Sequence, residues 1–289
     1  MYDIDAFLNY LANEKRFSVH TVVAYKKDIT QFFDSLGSSS ISEIDHKDIR
    51  AYLVEMVEEG KENTTINRKL SSLKTFFKFL KRQEVITVNP MLKIQGLKTK
   101  KRLPQFVPEN QLWNKTMFCE HEDVFSNLRD ELILELFYQT GIRLEELINL
   151  KNVNVQPNSI KVLGKRGKER IIPIAPKFYI LISEYKRVKS ENGISSEFLI
   201  NTKNSKKVTS KFVYGKVNYY LGKATNLKKK SPHVLRHTFA THMLNNGATL
   251  ESIKKLLGHT DLVATQVYTH NTFKQVKNIY KSSHPRGGE

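Results

Sequence analysis

Through the first hundred positions, apolar residues recur at spacings of three and four, a pattern that predicts short amphipathic helices. Phe7, Leu8 and Leu11 space one stripe; Val22, Val23, Ile29, Phe32, Phe33 and Leu36 space a second, which Gly37 and three serines end. A third helix is expected over residues 45–59, with Ile49, Tyr52, Leu53 and Met56 on its inner face and Gly60 closing it. The fourth begins near Thr64 or Thr65 and carries Ile66, Leu70, Leu73, Phe76, Phe77 and Leu80. Four such helices around a small core make a helical domain. The periodicity then fails in a stretch holding Lys98, Lys100, Lys101, Arg102 and Pro104. That stretch reads as a linker, so the chain is expected to divide into 1–97, a basic linker at 98–107, and 108–289.

After Pro108 the pattern is helical again, with one interruption. Leu128, Leu132, Leu136 and Phe137 mark a helix ending at Gly141. Residues 159–163 and 170–174 alternate like two strands around the polar turn at 164–168, a hairpin signature. Helices resume at Pro176, around Lys211 to Leu221, at Pro232, at Leu250 and near Leu262. In the tail, Phe273, Val276, Ile279 and Tyr280 stripe a short helix that must dock its apolar face on something. The expected fold is mainly α, with one small β-sheet in the second domain.

Charge sharpens this picture. The chain of 289 residues carries 47 Lys and Arg against 29 Asp and Glu, a formal net charge of +18. A protein this basic commonly meets a polyanion, and nucleic acid is the commonest. From Ile66 to Arg102 there are eleven basic residues and one acid, Glu84. A charge run is usually only a solvated face; here Arg68, Lys69, Lys74, Lys78 and Lys81 share one helix and can track phosphates. Cys119 is the single cysteine, which excludes an intramolecular disulfide and a cysteine-based zinc site. The first twenty residues do not resemble a signal peptide, and no apolar run approaches the ~20 residues that span a bilayer. A cytoplasmic setting without membrane contact is expected.

Four features of the second half carry chemistry. In Thr140-Gly141-Ile142-Arg143, a glycine ends one helix and Arg143 starts the next, where its forked donors add to free backbone N–H groups. Taken alone, it reads rather as a surface arginine paired with Glu146 on the next turn. In Ser231-Pro232-His233-Val234-Leu235-Arg236, a capping serine and a first-turn proline put His233 and Arg236 on one helical face. His233 and His237 have metal-ligand spacing, but no Glu or third ligand accompanies them, and no metal or other cofactor is expected. Gly258 closes a helix and exposes His259 beyond it. Tyr268 follows Val267 and, taken alone, reads as half-buried packing.

Together, in this order, Arg143, a hairpin lysine, His233 with Arg236, His259 and Tyr268 resemble the active site of the tyrosine recombinases. The strings LRHTFATHML and LLGHTDLVATQVYTH are highly specific to that family. The resemblance covers essentially the whole chain and is closest to the Xer-like bacterial recombinases and their phage and transposon integrase relatives. Ile142 stands where the family commonly has leucine, a change of packing alone. The resemblance implies an N-terminal four-helix SAM-like core-binding domain before a catalytic domain with a tail helix. It implies attack by Tyr268 on a DNA phosphodiester to form a 3′-phosphotyrosyl bond, reversed by a second strand's 5′-hydroxyl, without metal or ATP. Arg143, Arg236 and His259 are then phosphate donors, His233 moves the tyrosine proton, and Lys165 is the general acid, with Lys168 the alternative three residues on. Only about 0.1% of an unperturbed tyrosine is ionised at neutral pH, so the nucleophile needs this help.

The implied partners are double-stranded DNA with paired half-sites, a homo- or hetero-tetramer with a related recombinase, and an accessory septal DNA translocase. The tail is expected to dock on a neighbouring subunit; the plainer reading docks it on its own domain. The implied role is chromosome dimer resolution at cell division, on the nucleoid, because the short N-terminus leaves no room for an arm-binding domain. The competing readings are a mobile-element integrase, a catalytically idle DNA-binding protein on the same fold, and a topoisomerase.

Overall fold

The computed structural model describes residues 4–37, 41–99, 105–164, 167, 169–258 and 270–288. The chain forms two compact units, Met1–Arg102 and Leu103–Glu289.

The first unit is built on α1 (Ile4–Asn9), α2 (Val19–Leu36), α3 (His46–Glu58) and α4 (Asn63–Arg82). Each start and stop has a local cause. Ser18 Oγ accepts the Thr21 N–H before α2, and Gly37 ends that helix at φ +71°. Asp45 and Asp48 cap α3 reciprocally. The stripes meet in an aromatic core in which Phe7, Phe32, Phe76 and Phe77 are fully buried, Phe7 edge-on to Phe76 at 5.1 Å.

The expected row of cations on α4 is split in two. Lys69 is buried, bonded to Gln31 and 3.9 Å from the buried Asp28 carboxylate. Arg68 pairs with that same carboxylate, and Ser72 Oγ donates to it at 2.8 Å. Lys69 therefore neutralises an interior acid and is withdrawn from the exposed row. Lys74, Lys78, Lys81 and Arg82 are exposed. Beyond α4, Asn67 clamps the Leu97 backbone through both N–H and C=O, each at 2.8 Å, and Asn63 donates to the Lys98 carbonyl.

The second unit contains α5 (Val124–Thr140), α6 (Leu144–Ile148), β1 (Val155–Gln156), β2 (Ser159–Leu163) and β3 (Glu169–Pro173). It continues with α7 (Pro176–Glu191), α8 (Ser210–Ala224), α9 (Pro232–Asn245), α10 (Leu250–Leu257) and α11 (His270–Ser283). The hairpin pairs Ser159 with Pro173 through Leu163 with Glu169, and β1 adds a third antiparallel strand on the other side of β2. The expected helix near Leu262 lies outside the described residues.

Helix α5 is central rather than one-faced: α7, α8 and α9 all pack on it. Its enclosed polar residues are matched internally. Asp130, fully buried, receives Arg129, His121, Lys216 and Tyr220. Glu135 accepts from Trp113, Gln139 and Arg286. Buried charges persist only when paired and hydrogen-bonded in this way.

The tail helix forms as its stripe predicts, and within the chain it lies on its own unit, the plainer of the two expectations. Val276 and Tyr280 are buried in the core of their own unit, against α9, α10 and β3. His284, 3% exposed, stacks on Tyr280, donates from Nε2 to the Tyr138 carbonyl and accepts the Arg286 N–H. Phe273 and Ile279, the other two residues of the stripe, are half-buried. Among the described residues no helix is long and apolar enough to cross a membrane.

Candidate active site

Gly141 makes the turn that presents Arg143. It caps α5 at φ +58°, a conformation natural to glycine, and its N–H donates to the Phe137 carbonyl at 3.0 Å. A Cβ here would lie 2.6 Å from Leu257 and 2.7 Å from Phe239, so glycine is also required for space. Two residues on, Arg143 is the N-cap of α6. Its backbone N–H donates to Glu146 Oε2 at 2.8 Å and its Nη1 to Glu146 Oε1 at 2.9 Å. The expected cooperation with free N–H groups at a helix start is modified accordingly. The Arg143 N–H is occupied by Glu146, so any charge stabilisation by Arg143 comes from its side chain.

Arg236 and His233 lie one turn apart on α9, as their spacing predicts. Pro232 occupies the first turn, but Ser231 does not cap: its hydroxyl is buried without a hydrogen-bond partner among the described residues. Arg236 donates from Nη1 to the Gly141 carbonyl and from Nη2 to the Leu257 carbonyl at 2.7 Å. Burial, then the charges of Arg143 and Arg170, push its guanidinium down to about 9, so it remains a cation at neutral pH. His233 is exposed on the solvent side of the same helix. Burial of part of its ring, followed by Lys229, His237, Arg236 and Arg143, pushes its imidazole below the ordinary 6.5.

These side chains meet at the C-terminal end of α10. The Leu256 carbonyl accepts from Arg170 Nε at 2.9 Å, the Leu257 carbonyl from Arg236, and the Gly258 carbonyl from Arg143 Nη2 at 3.2 Å. Carbonyls left over at a helix C-terminus carry partial negative charge, which suits three guanidinium groups in close quarters. Gly258 itself turns in the left-handed conformation, φ +64°, and the chain then enters residue 259.

Arg170 was not among the residues singled out from sequence. It is 4% exposed and forks onto Glu146, Nη1 to Oε1 at 2.7 Å and Nη2 to Oε2 at 2.8 Å. Burial alone pushes the Glu146 carboxyl up; Arg170 and Arg143 more than reverse it and hold it at about 2. A signal was present: in β3, Arg170 shares the inward face with Ile172, and a core-facing arginine demands a buried carboxylate. Of the expected site residues, Arg143 and Arg236 are thus brought together at the end of α10, with His233 one turn from Arg236 on α9. Lys165, its alternative Lys168, His259 and Tyr268 lie outside the described residues.

Residues 106–275 match the phage integrase family, and residues 4–84 match that family's N-terminal SAM-like domain. The tyrosine recombinase XerC of Thermodesulfovibrio yellowstonii is 37% identical over 294 residues, covering 99% of this chain and 97% of that protein. The XerC of Staphylococcus aureus is 36% identical over 288 residues, covering 98% and 96%. In fold the chain is similar to a lambda integrase dimer bound to a COC' core site, with a TM-score of 0.70, 20% identity, and coverage of 94% and 93%.

Proposed function

The chain belongs to the phage integrase family and is a site-specific tyrosine recombinase that cleaves and rejoins DNA, and from that premise we propose a reaction through a 3′-phosphotyrosyl bond to Tyr268. The observation that supports this reading is the convergence of Arg143 and Arg236, from different helices, on the end of α10. From that end the chain runs directly into His259 and on to Tyr268.

In this reading the Tyr268 oxygen attacks phosphorus while the bond to the 5′-oxygen breaks. His233, neutral at physiological pH because its pKa is lowered, accepts the phenol proton. Lys165 gives a proton to the departing 5′-oxygen, which leaves as a hydroxyl. Arg143 and Arg236 meet the charge that builds on the nonbridging oxygens, with His259 as a further donor. A second strand's 5′-hydroxyl then reverses the step, and the phosphodiester energy is conserved in the protein–DNA bond.

Residues 1–97 serve as the core-binding domain and 108–289 as the catalytic domain, joined by the basic linker 98–107. Double-stranded DNA with paired half-sites is the substrate, engaged by a tetramer of this chain or of this chain with a related recombinase. The near full-length likeness to proteins named XerC supports a role in chromosome dimer resolution, on the cytoplasmic nucleoid, with a septal DNA translocase as accessory partner. A nicked suicide substrate tests the chemistry: wild type accumulates a covalent adduct on a denaturing gel, and Tyr268→Phe binds DNA equally but forms none. Adduct from that variant at the wild-type level overturns the assignment. Mapping adducts across the source genome tests the role, which requires a chromosomal site rather than the ends of a mobile element.

A further inference from the structure

We propose that Arg170 is a positioning residue for strand cleavage, locking the start of α6, the end of α10 and the β-hairpin into one register. The proposal rests on the reading of Arg143 as a donor to the transition state. Three pieces of the site come from distant parts of the sequence, and Arg170 touches all of them. Its backbone belongs to β3, the strand that leaves the turn bearing Lys165 and Lys168. Its Nη1 and Nη2 hold both oxygens of Glu146, and its Nε holds the Leu256 carbonyl.

Glu146 is the shared element. Each of its oxygens accepts once from Arg170 and once from Arg143: Oε1 from the two Nη1 groups, Oε2 from Arg170 Nη2 and the Arg143 backbone N–H. Arg170 therefore fixes the carboxylate that fixes Arg143. With every nitrogen of its guanidinium engaged and 4% of its surface exposed, Arg170 is not available to a phosphate. Gly258 fits closely over it, since a Cβ there would stand 3.0 Å from Arg170 Cδ. Lysine cannot replace this fork, because a single ammonium does not span Glu146 and Leu256 in one plane. Misplacing a reacting group by about 1 Å can cost about 10²-fold in rate, so loss of the fork should be visible in the chemistry.

A double-mutant cycle on single-turnover cleavage of the suicide substrate tests this. Arg170→Lys retains the buried charge; Arg170→Met combined with Glu146→Gln removes both charges together and serves if the lysine variant does not fold. Melting temperature and half-site affinity are measured on each. The expected result is near-native half-site affinity with cleavage slowed by ~10-fold or more. In an Arg143→Ala background the same change should slow cleavage by a clearly smaller factor, because the part transmitted through Glu146 to Arg143 is already lost. If Arg170→Lys slows cleavage equally in both backgrounds, it acts through general destabilisation, and the proposal fails while Arg143 keeps its role. If Arg143→Ala alone cleaves at the native rate, the catalytic reading of Arg143 fails and this proposal with it. Native cleavage by Arg170→Lys also overturns it.

Discussion

The Arg143 backbone and side chain are both tied to Glu146: Oε2 takes the N–H at 2.8 Å, and Oε1 takes Nη1 at 2.9 Å. One carboxylate thereby starts α6 and aims the guanidinium that the helix presents. The same carboxylate is neutralised by Arg170, so Arg143 is anchored without its charge being cancelled at the site.

Arg143→Ala and Arg236→Ala should each slow single-turnover cleavage by ~10²-fold or more, the loss expected for one donor to a developing oxyanion. Half-site affinity should fall far less, because the chain has 47 Lys and Arg to share the binding of a polyanion. Band-shift titration beside cleavage kinetics measures both. A parallel fall in the two quantities reduces these arginines to binding residues.

Cleavage should rise with pH along a limb lying below the ordinary histidine pKa of 6.5, because the environment of His233 favours its neutral form. His233 accepts a proton in this scheme, so protonating it removes the base and slows the reaction. The acid limb should therefore disappear in His233→Gln, leaving a slower and flatter profile. Retention of the limb in that variant assigns it to another group.

Reversing the charges of Lys74, Lys78 and Lys81 together should flatten the dependence of log affinity on log salt, each lost phosphate contact reducing the slope by about 0.9. These lysines are exposed along α4. Lys69→Gln is the contrasting variant: it should leave the slope alone and lower the melting temperature, because Lys69 lies beside the buried Asp28 carboxylate. An unchanged slope in the triple reversal moves the DNA track off α4.

The docked tail should loosen in acid. Burial first, and then the Arg286 and His242 charges against a hydrogen bond to Tyr138, bring His284 down to about 3 from 6.5. The unfolded tail binds a proton as pH falls below 6.5 while the folded one does not, so stability is lost from 6.5 down to about 3. Glu146 adds a separate loss at lower pH, present above 4.5 and lost as pH falls through about 2. Glu131, pushed up to about 7 by burial, acts in the opposite direction, so the readout is a difference between proteins. The protection of residues 276–284 against hydrogen exchange, with each rate divided by its intrinsic value at that pH, should fall between pH 6.5 and 5 in wild type and much less in His284→Phe. Equal acid responses in both discount His284 as the sensor.

Much of this architecture was legible in local pattern. The stripes of the first unit appear as helices because burying an apolar face requires only the right period, and the hairpin appears because alternation and a polar turn are likewise local. Gly141 and Gly258 announce helix ends, since a left-handed cap is a property of one residue and its neighbours. Ser231 shows the limit of such reasoning. It has the right type in the right place, yet its hydroxyl is buried away from the N–H groups that it was expected to cap.

The sequence by itself determined the order of helices and strands, the excess of positive charge, and the spaced set of Arg143, His233 and Arg236 with its likeness to a known family. Tertiary structure alone decided which partner each inward charge meets. Lys69 looks like other basic residues in sequence, and the alternation of Arg170 with Ile172 gives its face but not its partner; one lies beside buried Asp28 and the other is forked onto Glu146 because those carboxylates come from other elements. It also decided that the tail stripe lies against its own α9, α10 and β3. The reason is the same in each case. A period tells a residue which way to point, but the partner that makes burial of a charge or a stripe favourable is chosen by what the fold brings opposite it.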